Sequence, residues 1–172
     1  MRYNVAQLLK EPSGHTRQHT LREDISRIDP DIDPLSTLDG NIQMLRTADG
    51  VLVLGQLHTS VELVCSRCLD EFSLPLKFNL EEEFRPTIDI VTGAMLPISE
   101  DDEAATRIDD HHELDLTEVV RQDILLALPP NPICRTKCLG LCPTCGKNWN
   151  EGPCDCKHDE IDPRWQSLKE LL

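Results

Sequence analysis

The chain has 172 residues, a formal net charge of -14 and a sequence pI near 4.7. That balance argues against a protein that grips nucleic acid chiefly by neutralising phosphates, and it makes basic partners the natural ones. The length allows one main core with a small appendage. No stretch approaches a membrane span, and the N-terminal MRYNVAQLLK lacks the long apolar region and cleavage site of a secretory signal. The eight cysteines are therefore expected as reduced thiols in the cytoplasm, not as disulfides.

Residues 1–40 read as an N-terminal arm or first strand. Val5, Leu8 and Leu9 suggest a single apolar turn, followed by polar SGHTRQHT and proline-punctuated DISRIDPDIDPLSTLDG. His15 and His19 are four apart, as ligands on a helix would be, but Pro12, Ser13 and Gly14 oppose a helix, and both are expected at the surface. Residues 41–132 read as an antiparallel sheet domain. NIQMLRT and VLVLGQLHT flank Asp49-Gly50, a hairpin signal. SVELVC alternates, and FSLPLKFNLEEEF sets Phe72, Leu74, Leu76, Phe78, Leu80 and Phe84 on one face. Pro75 has no N–H to give a ladder, so its strand is expected at an edge or to carry a bulge.

Carboxylates dominate from Glu81 to Glu118, against only Arg85 and Arg107 as basic residues, and residues 97–110 are expected to form a mobile acidic loop too polar to pack. Asp109, Asp110, His111, His112 and Glu113 carry side chains that suit a divalent metal or acid-base work, but clustered carboxylates in a loop are usually only solvated. A helix is expected over 116–128, with capping-box-like spacing of Asp115 and Glu118 and with Leu116, Val119, Val120, Ile124 and Ala127 on one face. Pro129 and Pro130 stop it.

Residues 133–172 form the cysteine-rich segment, CRTKCLGLCPTCGKNWNEGPCDC, and then a last helix at Asp162-Pro163 with Trp165, Leu168, Leu171 and Leu172 on its apolar side. A CPxCG turn aims two thiolates at one point, and Gly146 can take the left-handed conformation this needs. Cys142 and Cys145 with Cys154 and Cys156 make one tetrahedral zinc site. The natural second set is Cys65, Cys68, Cys134 and Cys138, the alternative for Cys65 and Cys68 being a half-buried pair that ends a strand. Four thiolates also suit iron, so spacing leaves the metal open. The expected architecture is α+β: an antiparallel β-sheet or open barrel packed by one helix, with a small zinc-ribbon-like C-terminal segment.

In order along the chain stand VCSRCLDEF, DILLALPPNPIC, CLGLCPTCGKNWNEGPCDC and DPRWQSLKELL. This pattern resembles the YceD family of bacterial and plastid large ribosomal RNA subunit accumulation proteins, with Trp149 where Leu is common. The resemblance implies a cytoplasmic protein needed for large-subunit rRNA accumulation, without catalytic activity. Three function classes follow. The first is a non-catalytic assembly factor that holds a basic ribosomal protein or a pre-large-subunit particle. The second is direct zinc-dependent RNA binding through residues 133–172, where Arg135, Lys137, Lys147 and Lys157 offset the acidic residues. The third, an enzyme such as a nuclease or redox protein, is disfavoured: no phosphate-cradling glycine loop or nucleophile motif is visible, and a four-thiolate site is closed.

Overall fold

A computed structural model describes residues 1–97 and 103–156. The chain divides into two compact units, one built from Met1–Leu63 with Phe72–Pro130, the other from Val64–Glu71 with the chain from Asn131 onward. The first unit contains β1 (Arg2–Asn4), α1 (Ala6–Lys10), β2 (Thr16–Glu23), β3 (Asp33–Pro34), β4 (Leu38–Arg46), nearly all of β5 (Val51–Val64) and of β6 (Glu71–Pro86), β7 (Arg107–Ile108), β8 (Glu113–Asp115) and α2 (Thr117–Ala127). The main sheet runs β2-β4-β5-β6-β7, with β3 also pairing β5, and β1 and β8 make a small second sheet. β2, β3 and β4 pair antiparallel to their neighbours, whereas β7 lies parallel to β6.

Alternation on the strands builds the core. Ile42 and Met44 of β4, Val51, Val53, Leu57 and Val61 of β5, and Leu76, Leu80 and Phe84 of β6 are buried, and α2 adds Val119, Val120 and Ile124 to the same cluster. Each such side chain contributes about 1.5–3 kcal/mol when taken from water. The hairpin at Asp49-Gly50 forms as its sequence implies. β4 and β5 meet at Arg46 and Val51, and the Thr47 hydroxyl accepts the Gly50 N–H at 2.9 Å. Among the described residues β6 pairs β7 only at Arg85 and Pro86, so Pro75 lies on a stretch of β6 that β7 leaves uncovered.

Residues 1–40 carry more structure than their composition suggests. Val5, Leu8, Leu9, Leu21, Ile25 and Ile32 are all buried in the core, and β2 pairs along its whole length with β4. These apolar residues are spaced too irregularly for one periodicity to reveal them, because they belong to a short helix, a strand and the turns between.

The acidic stretch also departs from a mobile loop. Residues 98–102 lie outside the described residues, but Ala104–Thr106 form a 3-10 turn, and β7 follows with Ile108 wholly buried. One isoleucine among carboxylates is enough to anchor a two-residue parallel pairing. At the start of α2 the capping box is replaced by a local device. Asp115 Oδ1 accepts both the N–H and the hydroxyl of Thr117, while Glu118 turns outward to Arg121. Burial works against ionisation of Asp115, but the Thr117 donors and the Arg2 guanidinium bring its pKa down to about 2. α2 ends at Ala127, and Leu128 is extended (ψ 133°), as a residue before proline must be. The helix expected after Asp162 lies outside the described residues.

Candidate metal centres

All eight cysteines fall in the second unit, and their sulfurs converge as two foursomes. Cys65, Cys68, Cys134 and Cys138 form a mixed set, drawn from both segments of the unit. Cys142, Cys145, Cys154 and Cys156 form a C-terminal set. Within each, the ligand atoms lie within 4.8 Å of one another. In the mixed set Cys65 Sγ is 3.8 Å from Cys138 Sγ, and Cys68 Sγ is 3.6 Å from Cys134 Sγ. Sulfurs on a tetrahedron around zinc, at Zn–S of about 2.3 Å, stand about 3.8 Å apart. The donor set therefore fits a four-coordinate ion.

Each set is nucleated by the same knuckle. In Cys65-Ser-Arg-Cys68-Leu69-Asp70, the Cys65 N–H donates to the Asp70 carbonyl and the Leu69 N–H to the Cys65 carbonyl. In Cys142-Pro-Thr-Cys145-Gly146-Lys147, the Cys142 N–H donates to Lys147 and the Gly146 N–H to Cys142. Position five is left-handed in both, Leu69 at φ 61° and Gly146 at φ 73°. Amides turned inward by these bends point at the first sulfur. Arg67 N–H donates to Cys65 Sγ, and the N–H groups of Thr144 and Cys145 donate to Cys142 Sγ, each at 3.4 Å.

The acidities follow from this wiring. Burial opposes ionisation of Cys65, yet the N–H groups of Cys68, Cys134 and Arg67 hold its thiol down at about 6. Cys138 is lowered first by the Asn150 side-chain N–H. Burial likewise opposes Cys142, but the Cys145 and Thr144 amides lower it. The Asp70 amide favours a Cys68 thiolate, yet burial and the Cys65 and Cys138 sulfurs push that thiol up. Cys134 is raised by burial, and Cys156 is pushed up to about 12 by its hydrogen bond with Cys145 and by burial. Several negative charges a few ångströms apart do not coexist without a cation. A divalent ion held by the set would let all four thiols ionise.

The model of the family "Large ribosomal RNA subunit accumulation protein YceD" matches residues 53–172, more than half of the chain and all eight cysteines. The chain belongs to the YceD family. A protein of Mycobacterium tuberculosis named as uncharacterised is 29% identical over 175 residues, covering 100% of this chain and 81% of its own length. The YlbN protein of Bacillus subtilis is 32% identical over 113 residues, 64% of this chain and 59% of that one. A chloroplastic Arabidopsis thaliana protein, named large ribosomal RNA subunit accumulation protein YCED homolog 1, is 34% identical over 59 residues, 34% of this chain and 18% of its own. No solved structure matches.

Arg67, Trp149 and Asn150 of this YceD protein are not marked by sequence reasoning as supports of the sulfurs, although it notes Trp149 as standing where leucine is common. Arg67 donates through Nη1 to the Cys138 carbonyl at 3.0 Å, and its own carbonyl accepts the Leu141 N–H. The Trp149 indole N–H reaches Cys154 Sγ at 3.4 Å, a bond that leucine there could not make. Asn150 Nδ2 donates to Cys138 Sγ at 3.4 Å. The available signal was the run of asparagines in GKNWN, between the knuckle and Cys154, since Asn side chains readily order neighbouring backbone.

The other candidates are occupied elsewhere. His15 faces Glu11 at 3.3 Å, and His19 lies on β2 with its ring 5.2 Å from that of Tyr3. Asp109 Oδ1 accepts the N–H groups of His111 and Glu113, which closes the turn before β8. Among the described residues, no group of three or more His, Cys, Asp or Glu ligands other than the cysteine sets converges in this way. No helix among them is long and apolar enough to cross a membrane.

Proposed function

We propose that this protein is a non-catalytic factor in the accumulation of large-subunit ribosomal RNA, acting in the cytoplasm by holding a basic ribosomal protein or a pre-large-subunit particle. The family match over residues 53–172 carries this reading. Zinc, one ion per cysteine set, is structural: when bound it cross-links four thiolates and balances part of their charge. The protein's residues do the rest. The two knuckles aim the sulfurs, and their amides stabilise the thiolates. Four thiolates leave no coordination position for a substrate or an activated water, which supports a role other than catalysis.

Charge favours a protein partner over RNA. Each zinc with four thiolates carries a formal surplus of negative charge, which offsets the local effect of Arg135, Lys137 and Lys147. The first unit adds the carboxylates between Glu81 and Glu118, whose summed field can raise the association rate of a basic partner by about 10-fold or more at low salt. The test is capture of partners from a lysate with and without nuclease. A basic ribosomal protein retained after nuclease and displaced by polycations supports the proposal. Loss of all partners with nuclease, with affinity falling steeply as salt rises, would replace it with direct RNA binding through residues 133–172.

A further inference from the structure

The two cysteine sets are joined by a short segment that serves both. The C-terminal set grips Lys147–Asn150 from two sides. The Lys147 carbonyl accepts the Cys142 N–H at 2.9 Å, and the Trp149 indole donates to Cys154 Sγ. The Lys147 ammonium adds a bond to the Pro153 carbonyl at 2.7 Å. Inside that segment Asn148 Oδ1 accepts the backbone N–H of Asn150 at 3.0 Å and its side-chain N–H at 2.8 Å, which fixes the Asn150 amide. The amide faces the other set: Nδ2 donates to Cys138 Sγ, and Oδ1 accepts the Leu139 N–H at 3.0 Å. The Trp149 N–H closes on the Gly140 carbonyl, where a left-handed φ of 78° bends the chain between Cys138 and Cys142. Asn148 Nδ2 reaches Asp70 Oδ2 at 2.8 Å, in the knuckle of the mixed set.

We infer that the two sites fill cooperatively, and that Asn150 is the positioning residue that couples them. An ion at the C-terminal set pins Cys142 and Cys154, and with them the segment that carries Asn150. Its amide N–H is then already aimed at the Cys138 sulfur, so the mixed set does not have to order that donor when it takes its own ion. With the C-terminal set open, the donor is no longer held and the mixed set binds more weakly. By linkage the effect is reciprocal: an ion at the mixed set strengthens the C-terminal set by the same factor. Donors that support a metal ligand typically change affinity by about 10–100-fold. With one such donor at stake, the coupling factor is expected near 10-fold, toward the low end of the roughly 5–150-fold range seen for coupled sites.

The inference rests on the structural-metal reading above, and the test separates the two. Zinc binding to the full chain is measured against a competing chelator, with native mass spectrometry counting zero, one and two ions. Two variants, C154S/C156S and C65S/C68S, give each set's affinity alone. The two-ion constant of the wild type should exceed the product of these by about 10-fold. In chains that also carry Asn150→Ala, the excess should fall toward one. An apparent excess caused by collapse of the cysteine variants would survive Asn150→Ala, and that result overturns the inference. So does a wild-type constant equal to the product, since the sites are then independent. A wild-type chain that takes no zinc instead overturns the structural-metal reading itself.

Discussion

The two units of this protein bury different kinds of side chain. In the first, the wholly buried side chains are aliphatic or aromatic, among them Leu8, Leu21, Leu38, Phe84, Leu114 and Ile124. In the second, the buried side chains among the described residues are Cys65, Cys68, Cys138 and Cys142. Several of its large apolar residues face solvent instead, with Leu69 and Leu139 each 63% exposed. The described residues of this unit bury too little apolar area to offset their conformational entropy alone. Two four-thiolate sites that could hold metal ions would supply the missing stability. A structural zinc in a small unit contributes on the order of 10 kcal/mol.

The largest expected effect divides the molecule along this line. Stripping metal with a chelator should leave the backbone amides of β4, β5 and β6 protected from hydrogen exchange, while those of Cys138, Leu141 and Cys142 become freely exchanging. Peptide-resolved exchange followed by mass spectrometry reads both at once, and equal loss in the two units would mean they share one source of stability. The converse perturbation is Phe84→Ala. It opens a cavity in the sheet core at a cost of about 3–5 kcal/mol, seen as a lower denaturation midpoint of the sheet. Zinc stoichiometry of the folded variant should not change.

The smallest expected effect sharpens a comparison inside the second unit. Both knuckles need a left-handed residue at position five, and only one supplies glycine. A non-glycine residue there costs about 1–2 kcal/mol. Leu69 bears that strain while packing little, being mostly exposed. Leu69→Gly should therefore slow zinc loss from the mixed set by a few-fold, and Gly146→Leu should hasten loss from the C-terminal set by a similar factor. A thiol-reactive dye that follows metal release gives both rates. A Leu69→Gly variant that loses zinc faster would mean that Leu69 makes contacts worth more than the strain.

Much of the first unit was legible because its signals are local. The alternation in Phe72 to Phe84, the Asp49-Gly50 turn and the apolar face of α2 each state a period or a turn that the backbone then obeys. The first 40 residues were not legible in the same way. Val5, Leu21 and Ile32 have no shared period, and they meet only as members of one buried cluster in the folded chain. Ile108 is a sharper case: nothing in its acidic neighbourhood marks it as core, and its burial follows from the pairing of Arg107 and Ile108 with Arg85 and Pro86.

For the metal centres the division is different. The amino-acid sequence by itself pointed to the Cys142–Gly146 knuckle, because CPxCG spacing with glycine at the left-handed position is a property of consecutive residues, whereas for Cys65 and Cys68, followed by Leu69, it left a strand-ending pair open. It also set the net charge of -14. Only the tertiary structure brought Cys65 and Cys68 to Cys134 and Cys138, across a separation of more than sixty positions in the chain, and only it put the Asn150 amide against Cys138 Sγ. Spacing along a chain limits which thiolates can share an ion. Which of them do, and what else touches the sulfur, depends on how segments distant in sequence fold back on one another.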